Sequence, residues 1–437
     1  MDNEFTISSE KLIAARVAGE RISGRKRINQ EMARYRITQI EDYEPLVGRE
    51  AVERIREKAR KFKDLRVANF NSTYYGGGVA EMISSLTLLM NSLGLRTEWR
   101  VIQGTADFFS ITKKMHNALQ GGKIDLSGIK KEIFEQVIYE NSVRNFLEHD
   151  FVIVHDPQPL PLIEHYEKKC PWVWRCHIDL SRPNAQMWKY LRRWIDNYDA
   201  VIVSCPEYKH EMKPPQHVFM PAINPFNIKN RQLSDKEIDE RLAHYKIPTD
   251  LPLVVQISRF DPWKDPEGVV KAFKLARKEV EATLVLLGNF ATDDPEGSQI
   301  FESLRACQEE RILILTKGDD TALVNALQSR AAVVLQKSLR EGFGLTVAEA
   351  MWKSRAVIGG DVGGIRYQIE DGVNGFLVSS VEDAAERIVR LLKDEKLRDE
   401  FGKKGRETIR EKFLLTRYVE QYLDLFSEFD KSARSRD

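Results

Sequence analysis

The chain has 437 residues, 42% of them hydrophobic and 30% charged, with 67 basic against 66 acidic side chains and a net charge of +1. A chain of this length holds roughly two to three domains with sizeable cores, and its balanced charge argues against a nucleic-acid protein, which carries a basic excess or patch. Four cysteines without CxxC or metal-ligand spacing (Cys170, Cys176, Cys205, Cys307), no leader-like start and no apolar run near the ~20 residues of a membrane span predict a cytoplasmic protein with reduced thiols.

Residues 1–64 are polar and charge-rich, and stretches such as GREAVERIREKARKFKD predict a mostly helical extension that packs on something else or serves a homodimer contact. From residue 65 the pattern changes. LRVANF reads as a short buried strand, followed by the glycine turn of NSTYYGGG and a helix over VAEMISSLTLLMNSLG. TEWRVIQ, DFVIVHD, PWVWRCH and DAVIVSC continue as strands, which places a first Rossmann-like domain at 65–225. VFMPAINPFNIKN (218–230) reads as a linker. A second series then begins: PLVVQIS, ATLVLLG, RILILT, AAVVLQK and RAVIGG, alternating with helices at 265–280, 298–309, 321–330 and 344–353. It defines a second domain over 230–412. The tail from about 381 reads as three charged amphipathic helices, the last of them (413–437) crossing back to the first domain. Strands alternating with helices give an α/β chain with doubly wound parallel sheets, whose ligands bind at the carboxyl ends of the strands.

The candidate chemistry falls at those strand ends. In YYGGGVAEM (74–82), Gly77 and Gly78 follow a strand and open a helix, so an anion can approach the backbone N–H groups. The spacing is not GxGxxG, which disfavours a nicotinamide cofactor. In EGFGLTVAEAMWK (341–353), Glu341 precedes the glycines Gly342 and Gly344, and Leu345 starts a helix whose polar stripe is Thr346, Glu349 and Lys353. The plain account of Glu349 is an i, i+4 pair with Lys353, worth at most ~0.5 kcal/mol; Glu341 cannot join that pair. Arg259 and Lys264 lie just past the strand PLVVQIS, and Asp265-Pro266 fits the N-cap and N1 of the next helix. Two cations at a strand end suit a diphosphate, although either alone is an ordinary surface charge. His155-Asp156 and His177, with Asp179 after it, sit at strand ends of the first domain and read as a polar pocket or as hydrogen-bonded core histidines. The sequence contains no Asp-x-Asp, Walker A, GxSxG or HExxH, so the readings that rest on those motifs drop out.

GGG at 76–78, RFDPWKD at 259–265, EGFGLTVAEA at 341–350 and DVGGIRYQIEDGVNGFLV at 361–378 together resemble the retaining glycosyltransferases of family 4. NSTYYGGGVAEM, VIVHDPQPLPLI and RCHIDLSRPN narrow the resemblance to the trehalose glycosyltransferring synthases, with the trehalose phosphorylases as the main rival. The resemblance implies the GT-B architecture: two Rossmann-like domains facing across a cleft. It implies transfer of glucose from UDP- or ADP-glucose to free glucose, forming α,α-trehalose reversibly, with no prosthetic group and no metal on the diphosphate. By the same resemblance Glu349 holds the ribose hydroxyls, Glu341 a sugar hydroxyl, and Arg259 and Lys264 the departing diphosphate. The backbone of Gly342, Phe343, Gly344 and Leu345 contacts sugar and phosphate. Gly77 and Gly78 lie near the diphosphate or acceptor, His177 lies near the donor sugar, and His155, Asp156 and Asp179 stand on the acceptor side. A noncatalytic sugar-nucleotide sensor is the third alternative.

Overall fold

The structure is a computed structural model that describes residues 37–74, 77–288, 297–317 and 319–434. The first 36 residues of the helical extension therefore lie outside the described part, and its remainder carries the helix Arg49–Arg60 (α1). Two six-stranded sheets follow, each wholly parallel.

The first sheet contains β1 (Arg66–Asn71), β2 (Arg96–Val101), β3 (Phe151–His155), β4 (Trp172–Arg175), β5 (Ala200–Val203) and β6 (Gln216–Val218), in the spatial order β2-β1-β3-β4-β5-β6. The second contains β7 (Leu253–Ile257), β8 (Thr283–Leu287), β9 (Ile312–Leu315), β10 (Val333–Gln336), β11 (Ala356–Gly360) and β12 (Phe376–Val378), in the order β12-β11-β10-β7-β8-β9. Strands β3, β4, β5, β7, β8, β10 and β11 are buried along their whole length. Helices cover both faces of a parallel sheet, so its strands must be apolar on both sides. That is why these segments read as continuous hydrophobic runs. In each sheet the strand order reverses once, between β1 and β3 and between β7 and β10, and a crevice opens outside the carboxyl ends at such a point.

The helices Gly78–Ser92 (α2) and Ala106–Leu119 (α3) lie on opposite faces of the first sheet, and Leu345–Trp352 (α4) packs on the second. The chain passes between the domains twice, and the two passes pair with each other: Ile223 N–H donates to Phe413 O (2.9 Å) and Leu415 N–H to Ile223 O (3.0 Å). Beyond that crossing, the helix Leu415–Arg434 (α5) packs against α1, α2 and the first sheet, with the Phe151 and Phe426 rings 4.7 Å apart. Fully buried Arg175 donates to Tyr418 Oη of this helix (3.3 Å) and to the Phe219 carbonyl (2.7 Å). No described helix is long and apolar enough to cross a membrane.

Candidate active site in the interdomain cleft

On the second domain, the loops after β7 and β10 meet around one carboxylate. Lys264 Nζ lies 2.5 Å from Glu341 Oε2. The same oxygen accepts from Ser338 Oγ at 3.0 Å and from Gln336 Nε2 at 3.4 Å. All three donors converge on Oε2. The loop carrying Arg259 and Lys264 is fixed from several sides. Asp261 Oδ1 accepts from Trp263 N–H (2.8 Å), Lys264 O accepts from Gln256 Nε2 (3.0 Å), and Asp265 both caps the next helix and pairs with Lys337.

Helix α4 begins at Gly344, whose φ of +84° is the left-handed conformation that glycine adopts without penalty. Of its first-turn N–H groups, that of Val347 donates to the Gly344 carbonyl (2.9 Å); the N–H groups at a helix start suit an anion. Glu349 is 2% exposed. Its Oε1 lies 2.9 Å from Lys229 Nζ, which also pairs with Glu81 Oε2 of α2 at 3.1 Å. Its Oε2 is buried with no hydrogen-bond partner. Burial pushes the Glu349 carboxyl up, and Lys229 opposes that shift. The i, i+4 surface pair is not formed. Lys353 is turned inward, where its ammonium donates to Gln328 Oε1 (2.9 Å), Asn230 Oδ1 (3.0 Å) and the Glu349 backbone carbonyl (3.2 Å). Burial brings the Lys353 pKa down to about 7. A small interdomain cavity is lined by Gly78, Glu81, Asn224, Asn227, Leu345 and Glu349.

On the first domain, His155 ends β3 and His177 follows β4. Their rings lie nearly coplanar (12°), edge to edge, with His155 Nδ1 3.0 Å from His177 Nε2, and His155 Nε2 lies 3.0 Å from Asn69 Oδ1. Burial holds both imidazoles neutral, with Arg175 adding to the effect; His155 is brought down to about 3. His155 is wholly buried and so supports His177 from behind. Asp156, at φ +61°, accepts the His177 backbone N–H (2.7 Å), and Asp179 accepts that of Ser181 (2.8 Å). Both carboxylates are thus partly committed to holding the turn on which His177 rides.

The two halves touch across the cleft. A Cβ on Gly342 would overlap the His177 carbonyl oxygen, and one on Gly78 would overlap the Leu345 side chain. Gly77 caps α2 with extended backbone. Phe343 is turned into the core against Phe413, so only its backbone can meet a ligand. Tyr208 Oη donates to the Glu341 carbonyl (2.8 Å), and Arg340 Nη1 donates to Ser181 Oγ (3.0 Å).

Reading the sequence does not find several of these partners. Lys229 and Glu81 give no local signal. Lys113 of α3 makes a buried interdomain ion pair with Asp261 (2.9 Å, each side chain 4% exposed), beside Trp263 Nε1 donating to Asn117 Oδ1 at 3.3 Å. The neighbouring His116 is pushed to about 3 by burial, with Lys113, Arg259 and Lys264 adding to it. Lys113, His116 and Asn117 share one face of this helix, with Gln120 at its C-cap, and that polar stripe is the signal that marks this contact.

Two Rossmann-like domains that meet across the carboxyl ends of their parallel sheets give the GT-B architecture of glycosyltransferases. Residues 69–210 match the family described as "Trehalose synthase, N-terminal domain", and residues 237–408 match "Glycosyl transferases group 1". The trehalose synthase of Thermococcus litoralis is 43% identical over 89% of this chain and 97% of its own length. A trehalose phosphorylase of Pleurotus pulmonarius is 27% identical over 80% of this chain and 55% of its own. Among solved structures, an Anabaena protein, HepE, in complex with UDP-glucose superposes with a TM-score of 0.65 at 16% identity, covering 83% of this chain and all of that one. The chain belongs to the trehalose synthase family.

Proposed function

We propose that the protein transfers a glucosyl group from a nucleoside-diphosphate glucose, UDP- or ADP-glucose, to free glucose, forming α,α-trehalose reversibly and with retention at C1. The observation that carries this reading is the pairing of two acidic positions. Glu341 is gripped on one oxygen by Lys264, Ser338 and Gln336, and Glu349, which lines an interdomain cavity, keeps an orphaned oxygen. The first suits a sugar hydroxyl and the second a ribose hydroxyl, with Arg259 and Lys264, on the loop beside Glu341, for the diphosphate. The names of the relatives and the UDP-glucose bound by the Anabaena structure support the same choice.

In the forward step the bond from C1 to the diphosphate oxygen breaks, and the acceptor hydroxyl bonds to C1 on the same face. The departing phosphate oxygen takes the acceptor's proton. Arg259, Lys264 and the N–H groups at the start of α4 stabilise the charge that develops on the leaving group, each well-placed donor contributing on the order of 3 kcal/mol. The sequence lacks an Asp-x-Asp, so these groups do the work of a metal clamp, and turnover is expected to persist in a chelator. Contact between the two halves excludes water from the reacting centre.

The test is to incubate trehalose separately with UDP, ADP and inorganic phosphate. Formation of UDP- or ADP-glucose is the expected result. Glucose 1-phosphate formed only with phosphate would instead place the protein with the phosphorylases, and tight nucleotide binding without any product would make it a sensor.

A further inference from the structure

The histidine pair has a hydrogen-bond polarity that can be read from its far end. Asn69 is completely buried, and its Nδ2 points to the Glu98 carbonyl at 3.4 Å. The opposite amide orientation would set two oxygens against each other. Oδ1 is therefore the atom facing His155 Nε2, at 3.0 Å, and an amide oxygen only accepts. His155 Nε2 must carry its hydrogen. With the ring neutral, His155 Nδ1 is then a bare acceptor, and the 3.0 Å contact to His177 Nε2 requires that nitrogen to be the donor. The remaining nitrogen, His177 Nδ1, is left as a lone pair. It is buried and has no hydrogen-bond partner in the protein.

We propose that Asn69 and His155 are positioning residues that lock His177 in the Nε2–H tautomer, so that its Nδ1 accepts a hydrogen bond from a neutral hydroxyl of a bound sugar and turns away a phosphate oxygen. An unprotonated imidazole nitrogen and an anionic oxygen both offer lone pairs, and neither has a hydrogen to give. The relay thus sorts the cleft into a hydroxyl side, at His177, and an anion side, at Arg259, Lys264 and the start of α4. The Arg175 guanidinium, buried behind the pair, reinforces the assignment because it disfavours an imidazolium there. This inference rests on the glycosyltransferase reading above and specifies which chemical group meets His177.

The experiment is a two-bond 15N–1H correlation spectrum of the histidine side chains in the full chain, with a His177→Asn spectrum assigning the signals. The expected result is a neutral His177 with protonated Nε2 and bare Nδ1 at pH 7 and at pH 5.5. Adding trehalose shifts the Nδ1 signal, and adding sulfate, which carries no hydrogen at either pH, does not. A protonated Nδ1, an imidazolium, or a sulfate-induced shift overturns the proposal. The Asn69→Asp variant places a carboxylate on His155, favours its doubly protonated form and so reverses the His177 tautomer. Turnover should then fall roughly 10- to 100-fold, the loss expected when a buried acceptor site is inverted. Unchanged turnover with a reversed tautomer would equally overturn it. The tautomer is read without any donor nucleotide. Failure of the donor reading shows separately, as wild-type protein that makes no product from UDP- or ADP-glucose.

Discussion

Glu349→Gln separates a ribose-binding carboxylate from a structural one. Oε1 is engaged by Lys229 at 2.9 Å, and Oε2 has no hydrogen-bond partner in the protein. The substitution keeps an amide oxygen for Lys229, which retains Glu81 at 3.1 Å, so no buried cation is stranded. Relieving the burial cost of the carboxylate offsets much of the lost pair, and the change in stability should stay below about 2 kcal/mol. A charge-assisted hydrogen bond from a ribose hydroxyl contributes about 1.5–3 kcal/mol, so nucleotide affinity should fall roughly 10- to 150-fold. Titration calorimetry with UDP and ADP measures that loss, and thermal unfolding checks the fold. The decisive control is the 2′,3′-dideoxy nucleotide, which should bind wild type and variant alike. If the variant loses the dideoxy nucleotide as severely as the natural one, or loses neither, the ribose assignment is wrong.

The glycines of the cleft give a graded pair. Gly342→Ala drives a Cβ into a backbone oxygen of the other domain and should abolish turnover while leaving nucleotide binding measurable, whereas Gly78→Ala meets only the Leu345 side chain and should cost far less; equal losses would refute the close approach. Lys264→Met removes the cation beside Glu341 and should lower kcat by about 10²–10³, and an effect confined to KM would contradict its role on the leaving group. Lys113→Met leaves Asp261 buried without its interdomain partner; small-angle scattering should show a more open molecule, and an unchanged radius of gyration would refute the contact as a latch. Acid should destabilise the protein through His155: its folded pKa, about 3, lies below the unfolded value near 6.5. The unfolded chain then binds the extra proton as pH falls below 6.5, and stability drops by about 1.4 kcal/mol per pH unit from this one group. Denaturant midpoints between pH 6.5 and 4.5 should fall less steeply in His155→Gln, and parallel slopes would count against a neutral buried ring.

The central strands are legible in the sequence because both faces of each sheet are covered, which makes VVQI, LVLL and VVLQ unmistakable apolar runs. The edge strands β6 and β12 are not, since each is only three residues long. Glu341, Arg259 and Lys264 stand out because glycines and strand ends frame them. The partner of Glu349 does not, because local spacing offers Lys353 and only the folded chain brings Lys229 to the carboxylate. Burial settles that competition, and burial depends on contacts between helices distant in sequence. The histidine pair shows the same limit: two strand-end histidines are visible in the sequence, but the Asn69 that sets their polarity lies 86 residues away from His155.

The proposed activity is defined by which bond is made from which donor. UDP-glucose and ADP-glucose, each labelled with 13C at C1, should be offered in turn with unlabelled glucose, and the product followed by NMR. The result predicted is α,α-trehalose with the label in one ring at an α anomeric carbon and release of the nucleoside diphosphate. A β-linked product, a disaccharide without the label, or no transfer from either nucleotide sugar while phosphate cleaves trehalose, would contradict it.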